Sequence, residues 1–237
     1  MGMTQVDSIR RKVASERRGD AERSETVHRS MVVAGYQFGY VLGVLRGDGS
    51  IWKDRRGGRV LRLRVRNEAF ADKFFDCLRS ICPDGVHVSR SFRVFQTKKS
   101  EIRTPDHVFA MEARTVTFHE VTCSNPGVVS LLDESRRQLE GRDAETVRGF
   151  IDGLWDSEGF FIKTRGYAGL KMKDHGLVQW MSGQLFTLGV ENKVYTTKSG
   201  YLSRISVHRK DAVKHFCEIV KFSIPQKEEI RLELLRG

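Results

Sequence analysis

Two stretches of this chain alternate strictly between apolar and charged residues. Leu61-Arg62-Leu63-Arg64-Val65-Arg66 puts three aliphatic side chains on one side and three arginines on the other, which predicts a strand with one face in a core and one cationic face in water. Leu170-Lys171-Met172-Lys173 repeats the pattern, and Arg204-Ile205-Ser206-Val207-His208 alternates likewise. After each of the first two, the period changes to that of a helix. Phe70, Phe74, Leu78 and Ile81 predict a helix over 69–82, and Leu177, Met181, Leu185 and Leu188 predict one over 176–189. Setting Leu63 against Leu170 aligns all four helix pairs at a single offset of 107 residues.

Upstream, Tyr40 to Ser50 faces Phe150 to Phe160 at an offset of 110. The three extra residues fall in the hairpin turn, where Arg55-Arg56-Gly57-Gly58 is longer than Thr164-Arg165-Gly166, and turns are where length varies. The chain therefore reads as a tandem duplication in the α+β class. Each half runs helix, hairpin, helix, second hairpin, helix (αββαββα), and the two are pseudo-symmetric, each with one antiparallel sheet. The expected organisation is an arm over 1–30, a first half over 31–138, a linker over 139–145 around Gly141-Arg142-Asp143, and a second half over 146–237. The third helix of the first half is expected near 128–137.

Charge sharpens the picture. The 237 residues carry 41 Lys and Arg against 30 Asp and Glu, a formal charge of +11. Residues 49–119 hold 15 basic and 8 acidic groups and residues 159–210 hold 9 and 2, so the excess sits in two blocks and the remainder of the chain is net acidic. Two matched basic surfaces suit a long polyanion. No apolar run is long enough to span a bilayer, and residues 1–29 lack the apolar stretch of a signal peptide. Cys77, Cys82, Cys123 and Cys217 form no zinc spacing and are expected as reduced thiols in an intracellular protein of the cytoplasm, nucleoid or an organelle. The seven His residues show no metal triad, and Trp52, Trp155 and Trp180 read as packing groups.

The chemistry lies in the segments at 40–50 and 150–160. Both are short apolar helices with glycines four apart, Gly35, Gly39 and Gly43 in one and Gly149 and Gly153 in the other. Glycine costs a helix interior roughly 1 kcal/mol against alanine, so the spacing points to close backbone contact, with the other copy as the partner. Each helix stops at an acid before a glycine, Asp48-Gly49 and Glu158-Gly159. One such acid alone is an ordinary helix end. Two at equivalent places of a repeat, brought side by side at the negative ends of two helix dipoles, call for a cation, and Mg²⁺ with its oxygen ligands answers.

Val41-Leu-Gly-Val-Leu-Arg-Gly-Asp-Gly49 and Ile151-Asp-Gly-Leu-Trp-Asp-Ser-Glu-Gly159 resemble the paired LAGLIDADG motifs of homing endonucleases in the single-chain, double-motif form, and the likeness extends over residues 35–235 through the order of the repeat. Arg46 departs from the motif, where many members carry an acid that is not the metal ligand. The resemblance implies a monomer whose two sheets form a saddle in the major groove of double-stranded DNA. It further implies site-specific cleavage of both strands with two or more Mg²⁺ ions, replaceable by Mn²⁺, held by Asp48 and Glu158 with the carbonyls of Gly47 and Ser157. Lys227, with Gln226 beside it, resembles the lysine-bearing turn before the last helix, and Asn67 and Asp174 occupy a place where such sites keep polar groups. Lys53 and Lys163, each five residues past an acid, fit phosphate contacts better than catalysis. The expected sequence readers are Arg62, Arg64, Arg66, Lys171, Lys173, Arg204 and His208, joined by Arg90, Arg93 and Lys198. An intron-encoded or free-standing nuclease is the leading expectation. An RNA maturase acting on intron RNA and a non-catalytic DNA-binding regulator are the alternatives.

Overall fold

A computed structural model describes residues 31–54, 57–96, 100–103, 108–111, 113–197 and 200–236. The first half comprises helix α1 (Tyr36–Arg46), strands β1 (Ser50–Lys53) and β2 (Arg59–Val65), helix α2 (Glu68–Ile81), strands β3 (Val88–Gln96), β4 (Ser100–Arg103), β5 (Val108–Met111) and β6 (Thr115–Cys123), and helix α3 (Pro126–Ser135). The second comprises α4 (Ala144–Glu158), β7 (Gly159–Ile162), a 3₁₀ turn at Lys163–Arg165, β8 (Tyr167–Met172), α5 (His175–Thr187), β9 (Lys193–Thr196), β10 (Ser203–Val207), α6 (Lys210–Ile219) and α7 (Pro225–Arg236). The strands form two antiparallel sheets of the same order, β1-β2-β6-β3 and β7-β8-β10-β9. Two additions depart from a strict αββαββα repeat. The β4–β5 hairpin is inserted between β3 and β6 in the first half, and α7 follows α6 in the second.

Local chemistry starts the helices where expected. Asn67, Asn125, Asp143 and Asp174 are N-caps whose side-chain oxygens accept the N–H three residues on, from Phe70, Val128, Thr146 and Leu177 at 2.9–3.1 Å. Pro126 occupies the first turn of α3, where its missing N–H costs nothing.

The core is one cluster running through both halves, with α1 and α4 packed together at its centre. Their glycines make the packing possible. A methyl group built on Gly39 would lie 1.9 Å from the Thr146 carbonyl oxygen, and one on Gly43 2.3 Å from that of Phe150. In return, a methyl on Gly149 would lie 2.0 Å from the Tyr36 carbonyl oxygen and one on Gly153 2.3 Å from that of Tyr40. Gly35 belongs to a different class. A methyl there would meet nothing within 4 Å; the residue is the N-cap of α1 at φ 85°, and its N–H donates to Thr146 Oγ1.

Strand pairing decides which charges face which way. Leu61 and Leu63 pair with Cys123 and Val121 on the core side, while Arg62 and Arg64 share the outer side with Thr122, Glu120 and, next along, Phe118. In the second sheet Leu170 pairs with Ile205 inside, and Lys171 with Arg204 outside. The four cysteines are free, and among the described residues no helix is long and apolar enough to cross a membrane.

Candidate active site and nucleic-acid interface

The motif helices end against each other. A methyl on Gly47 would fall 2.4 Å from Ser157 Cβ and 3.2 Å from Glu158 Cγ, so the end of α1 abuts the acid that ends α4. Desolvation pushes the Asp48 carboxyl above its ordinary value, with the Lys227 ammonium pulling the other way. Glu158 is raised by desolvation and then by the Asp48 charge, again opposed by Lys227. Lys227 is itself held below the usual lysine range by burial, against the upward pull of Asp156, Asp48 and Glu158. The structure thus gathers Asp48, Glu158 and Lys227 from three distant parts of the chain.

Lys227, in the first turn of α7, donates from Nζ to the carbonyl oxygens of Trp155 at 2.9 Å and Asp156 at 2.6 Å. A cation at the last turn of a helix is favoured by the dipole. The first half has its own version: Arg136, at the end of α3, donates to the carbonyl of Leu45, the repeat equivalent of Trp155, at 3.1 Å. Arg136 is further held by Asp133, at 2.6 and 2.9 Å. Nothing in its sequence neighbourhood singled it out. Gln226 is exposed in the first turn of α7.

Several expected site residues do other work. Asn67 and Asp174 are the caps described above. Their oxygens are committed to helix N-termini, and Asp174 also pairs with Arg46. Arg90 turns to the helix side of its strand, where it pairs with Asp72 and, at 3.4 Å, with Glu68 of α2. Lys53 pairs in register with Arg59 on the side opposite Arg62, and Arg59 on that side bonds Asp133 of α3. Lys53 thus also leaves the outer face. Lys163, in the turn after β7, is joined at 2.7 Å to Glu233 of α7. Lys198 lies outside the described residues.

The outer faces keep the remaining cations and hold them on aromatic rings. The Arg64 guanidinium sits 4.7 Å from the ring centres of both Phe95 and Phe118, Arg66 5.5 Å from Phe118, and Arg62 5.4 Å over Trp52. Trp52, at 42% exposure, is therefore part of the outer face rather than the core, whereas Trp155 is buried and Trp180 packs edge-on against Phe150. Arg93 shares this face, 3.9 Å from Glu120. On the second sheet Arg204 lies over Tyr195 and Lys173 over Tyr201, with Lys171 exposed beside them. His208, exposed just past β10, lines a 320 Å³ cleft with Arg165, Lys210 and Glu233.

Two buried acids of α4, Asp152 and Asp156, escaped the sequence reading. Each is 1% exposed. Asp152 accepts the Tyr36 hydroxyl at 2.8 Å and has Arg148 4.0 Å away, yet burial pushes its carboxyl up to about 7. From the ordinary 3.8 to about 7 the folded chain keeps a proton that the unfolded chain has released, so this residue makes stability fall as pH rises through that window. Asp152→Asn is expected to flatten the slope: it melts near the parent at about pH 5 and above it at about pH 8, as thermal unfolding across pH will show.

Residues 145–221 match the family described as the LAGLIDADG-like domain. The uncharacterized protein MJ0398 of Methanocaldococcus jannaschii is 24% identical over 217 residues, 85% of this chain and 72% of that one. Among solved structures, mesophilic variants of the homing endonuclease I-DmoI share 16% identity at a TM-score of 0.57, covering 82% of this chain and 95% of theirs. I-DmoI in complex with DNA and Mn shares 18% at a TM-score of 0.53, covering 80% and 97%. The homing endonuclease I-WcaI bound to its DNA recognition sequence shares 11% at 0.51, covering 83% and 87%. With two glycine-packed motif helices, two sheets of one topology and an acid at the end of each central helix, this chain has the fold of the single-chain, double-motif homing endonucleases, and its second half matches the LAGLIDADG-like domain.

Proposed function

We propose that this protein is an intracellular, site-specific endonuclease that hydrolyses both strands of duplex DNA as a monomer. The observation carrying this reading is the meeting of Asp48 and Glu158, one from each half, at abutting helix ends between two sheets whose outer faces are cationic. The relatives support it: I-DmoI has been solved with DNA and Mn, and a single-residue variant of it with target DNA and Mg.

The donor set fits a hard divalent cation. Asp48 and Glu158 are partly withdrawn from water at the negative ends of two helices, the Asp48 charge raises the proton affinity of Glu158, and Lys227 is the cation among them. Two carboxylates suffice for Mg²⁺, an ion that binds through one or two of them and keeps several waters. Asp48 and Glu158, with the carbonyls of Gly47 and Ser157, would hold it. When bound it would activate water and stabilise charge on the phosphate oxygens. Lys227, fixed by two carbonyls, places its ammonium beside the same acids and stabilises the negative charge that builds up on the phosphorane-like transition state. The outer cations bind and read the duplex. A strand ribbon fits the major groove, and an arginine already stacked on rings loses little freedom when it meets guanine.

The test is incubation with the DNA that flanks this reading frame, rejoined without the intervening sequence, in Mg²⁺. Defined double-strand cutting supports the proposal, and intact DNA under conditions of saturating binding overturns it. Affinity is expected to drop by about 10³–10⁵-fold between roughly 50 and 200 mM salt, as for a protein with 6–10 phosphate contacts. Arg64→Ala should cost about 1–3 kcal/mol and relax preference at one base pair, which selection from a randomised duplex library resolves.

A further inference from the structure

The acids buried in α4 have no counterpart in α1. At the repeat offset, Asp152 and Asp156 correspond to Leu42 and Arg46, so whatever they do is done in one half only. Both face the extended segment that joins α6 to α7. Asp152 accepts the N–H of Lys221 at 3.2 Å, and Asp156 accepts the N–H of Ser223 at 3.0 Å and its hydroxyl at 2.7 Å. Alternate N–H groups of one stretch are thereby pinned on carboxylates one helical turn apart. From the other side, Tyr36 and Tyr40 of α1 donate their hydroxyls to the same two acids, at 2.8 and 2.6 Å. Four residues beyond Ser223, Lys227 returns its ammonium to the backbone carbonyl of Asp156 itself. One residue thus holds the base of the Lys227 segment by its side chain and the tip by its main chain.

Resting on the assignment of Lys227 to DNA cleavage, we propose that Asp156 is the positioning residue for that lysine. It fixes the ammonium among Asp48 and Glu158, and through Tyr40 it locks that placement to the first half of the protein. A carboxylate is suited to this task because all its neighbours donate: the Tyr40 hydroxyl, the Ser223 hydroxyl and the Ser223 N–H. An amide of the same shape turns an N–H₂ toward at least one of them, and the segment loosens. Asp152 anchors the segment further from the lysine and is the lesser contributor.

The experiment is a double-mutant cycle on single-turnover cleavage at saturating protein, using Asp156→Asn, Lys227→Met and the pair. Asp156→Asn is expected to lower the rate constant about 10–100-fold, in the range for loss of a partner that orients a reacting group, with target affinity within about twofold. In the Lys227→Met background the same change should cost less than about threefold, because the group it positions is gone. Full multiplication of the two effects, or affinity lost in step with rate, would mean that Asp156 only glues the helices, and the proposal falls. Should Asp156→Asn not fold, Ser223→Ala removes a single hydroxyl from the clamp and must show the same non-additivity. Acylation of Lys227, followed by peptide mass spectrometry, reads the placement without cleavage. The lysine should react about tenfold faster in Asp156→Asn, and unchanged protection overturns the proposal. If the parent protein acylates as expected but cuts no duplex, the nuclease assignment fails separately from the clamp.

Discussion

Asp48→Asn and Glu158→Gln should each reduce strand cleavage by on the order of 10³-fold or more, while binding to the target holds and the apo protein becomes more heat-stable. The two effects share one origin. Each carboxylate is partly removed from water at the negative end of a helix, and Glu158 feels the Asp48 charge on top of its own desolvation. Such a pair costs the fold free energy that a bound cation would return. Neutralising either acid relieves the repulsion, so the variants melt above the parent without metal. The parent then gains more from added Mg²⁺ than either variant does, a readout independent of cutting. Melting curves with and without the ion, set beside cleavage rates, check both halves of the expectation. Variants that cut at the parental rate would dismiss the two acids as the reactive centre.

Gly43→Ala or Gly153→Ala costs about 3–5 kcal/mol of stability and takes cleavage with it. The reason is that backbone meets backbone. The added methyl on Gly43 would lie 2.3 Å from the Phe150 carbonyl oxygen and 2.8 Å from the Leu154 nitrogen, and the one on Gly153 2.3 Å from the Tyr40 oxygen. No side chain can swing aside, so α1 and α4 must part along their length, loosening the buried Phe38, Leu42, Phe150 and Leu154 with them. Because the acids terminate those helices, separation also pulls Asp48 from Glu158. Gly183, in α5, is the control, since a methyl there meets nothing within 4 Å: Gly183→Ala should stabilise by about 0.5–1 kcal/mol, the ordinary helix-propensity gain. Denaturant unfolding of the three variants makes the comparison.

The duplication and both acids were legible because they rest on short-range patterns that occur twice. The alternation of Leu61 to Arg66 recurs at Leu170 to Lys173, and the glycine ladder recurs in both motif helices. The inserted β4–β5 hairpin was not, since its sequence has no copy in the second half to mark it as extra. Arg90 and Arg93 look alike in a row of letters. Only the pairing of β3 with β6 puts Arg93 beside Phe118 on the outer face and Arg90 opposite Val121, toward α2. The side of the sheet that Lys53 takes is likewise a matter of odd or even position against β2. Asp152 and Asp156 defied the reading differently, because acids on a helix normally face water.

Periodicity and composition are properties of neighbours in the chain, and they suffice to establish the repeat, its helices and strands, the cationic strand faces and the acid closing each motif. The rest needed partners brought from far away. Tyr36 and Tyr40 donate their hydroxyls to the buried Asp152 and Asp156, and Ser223 and Lys227 come from the end of the chain to complete the cluster. A hydrogen bond or a desolvated charge has a cost set by what surrounds it in space, and that surrounding exists only after the halves have packed.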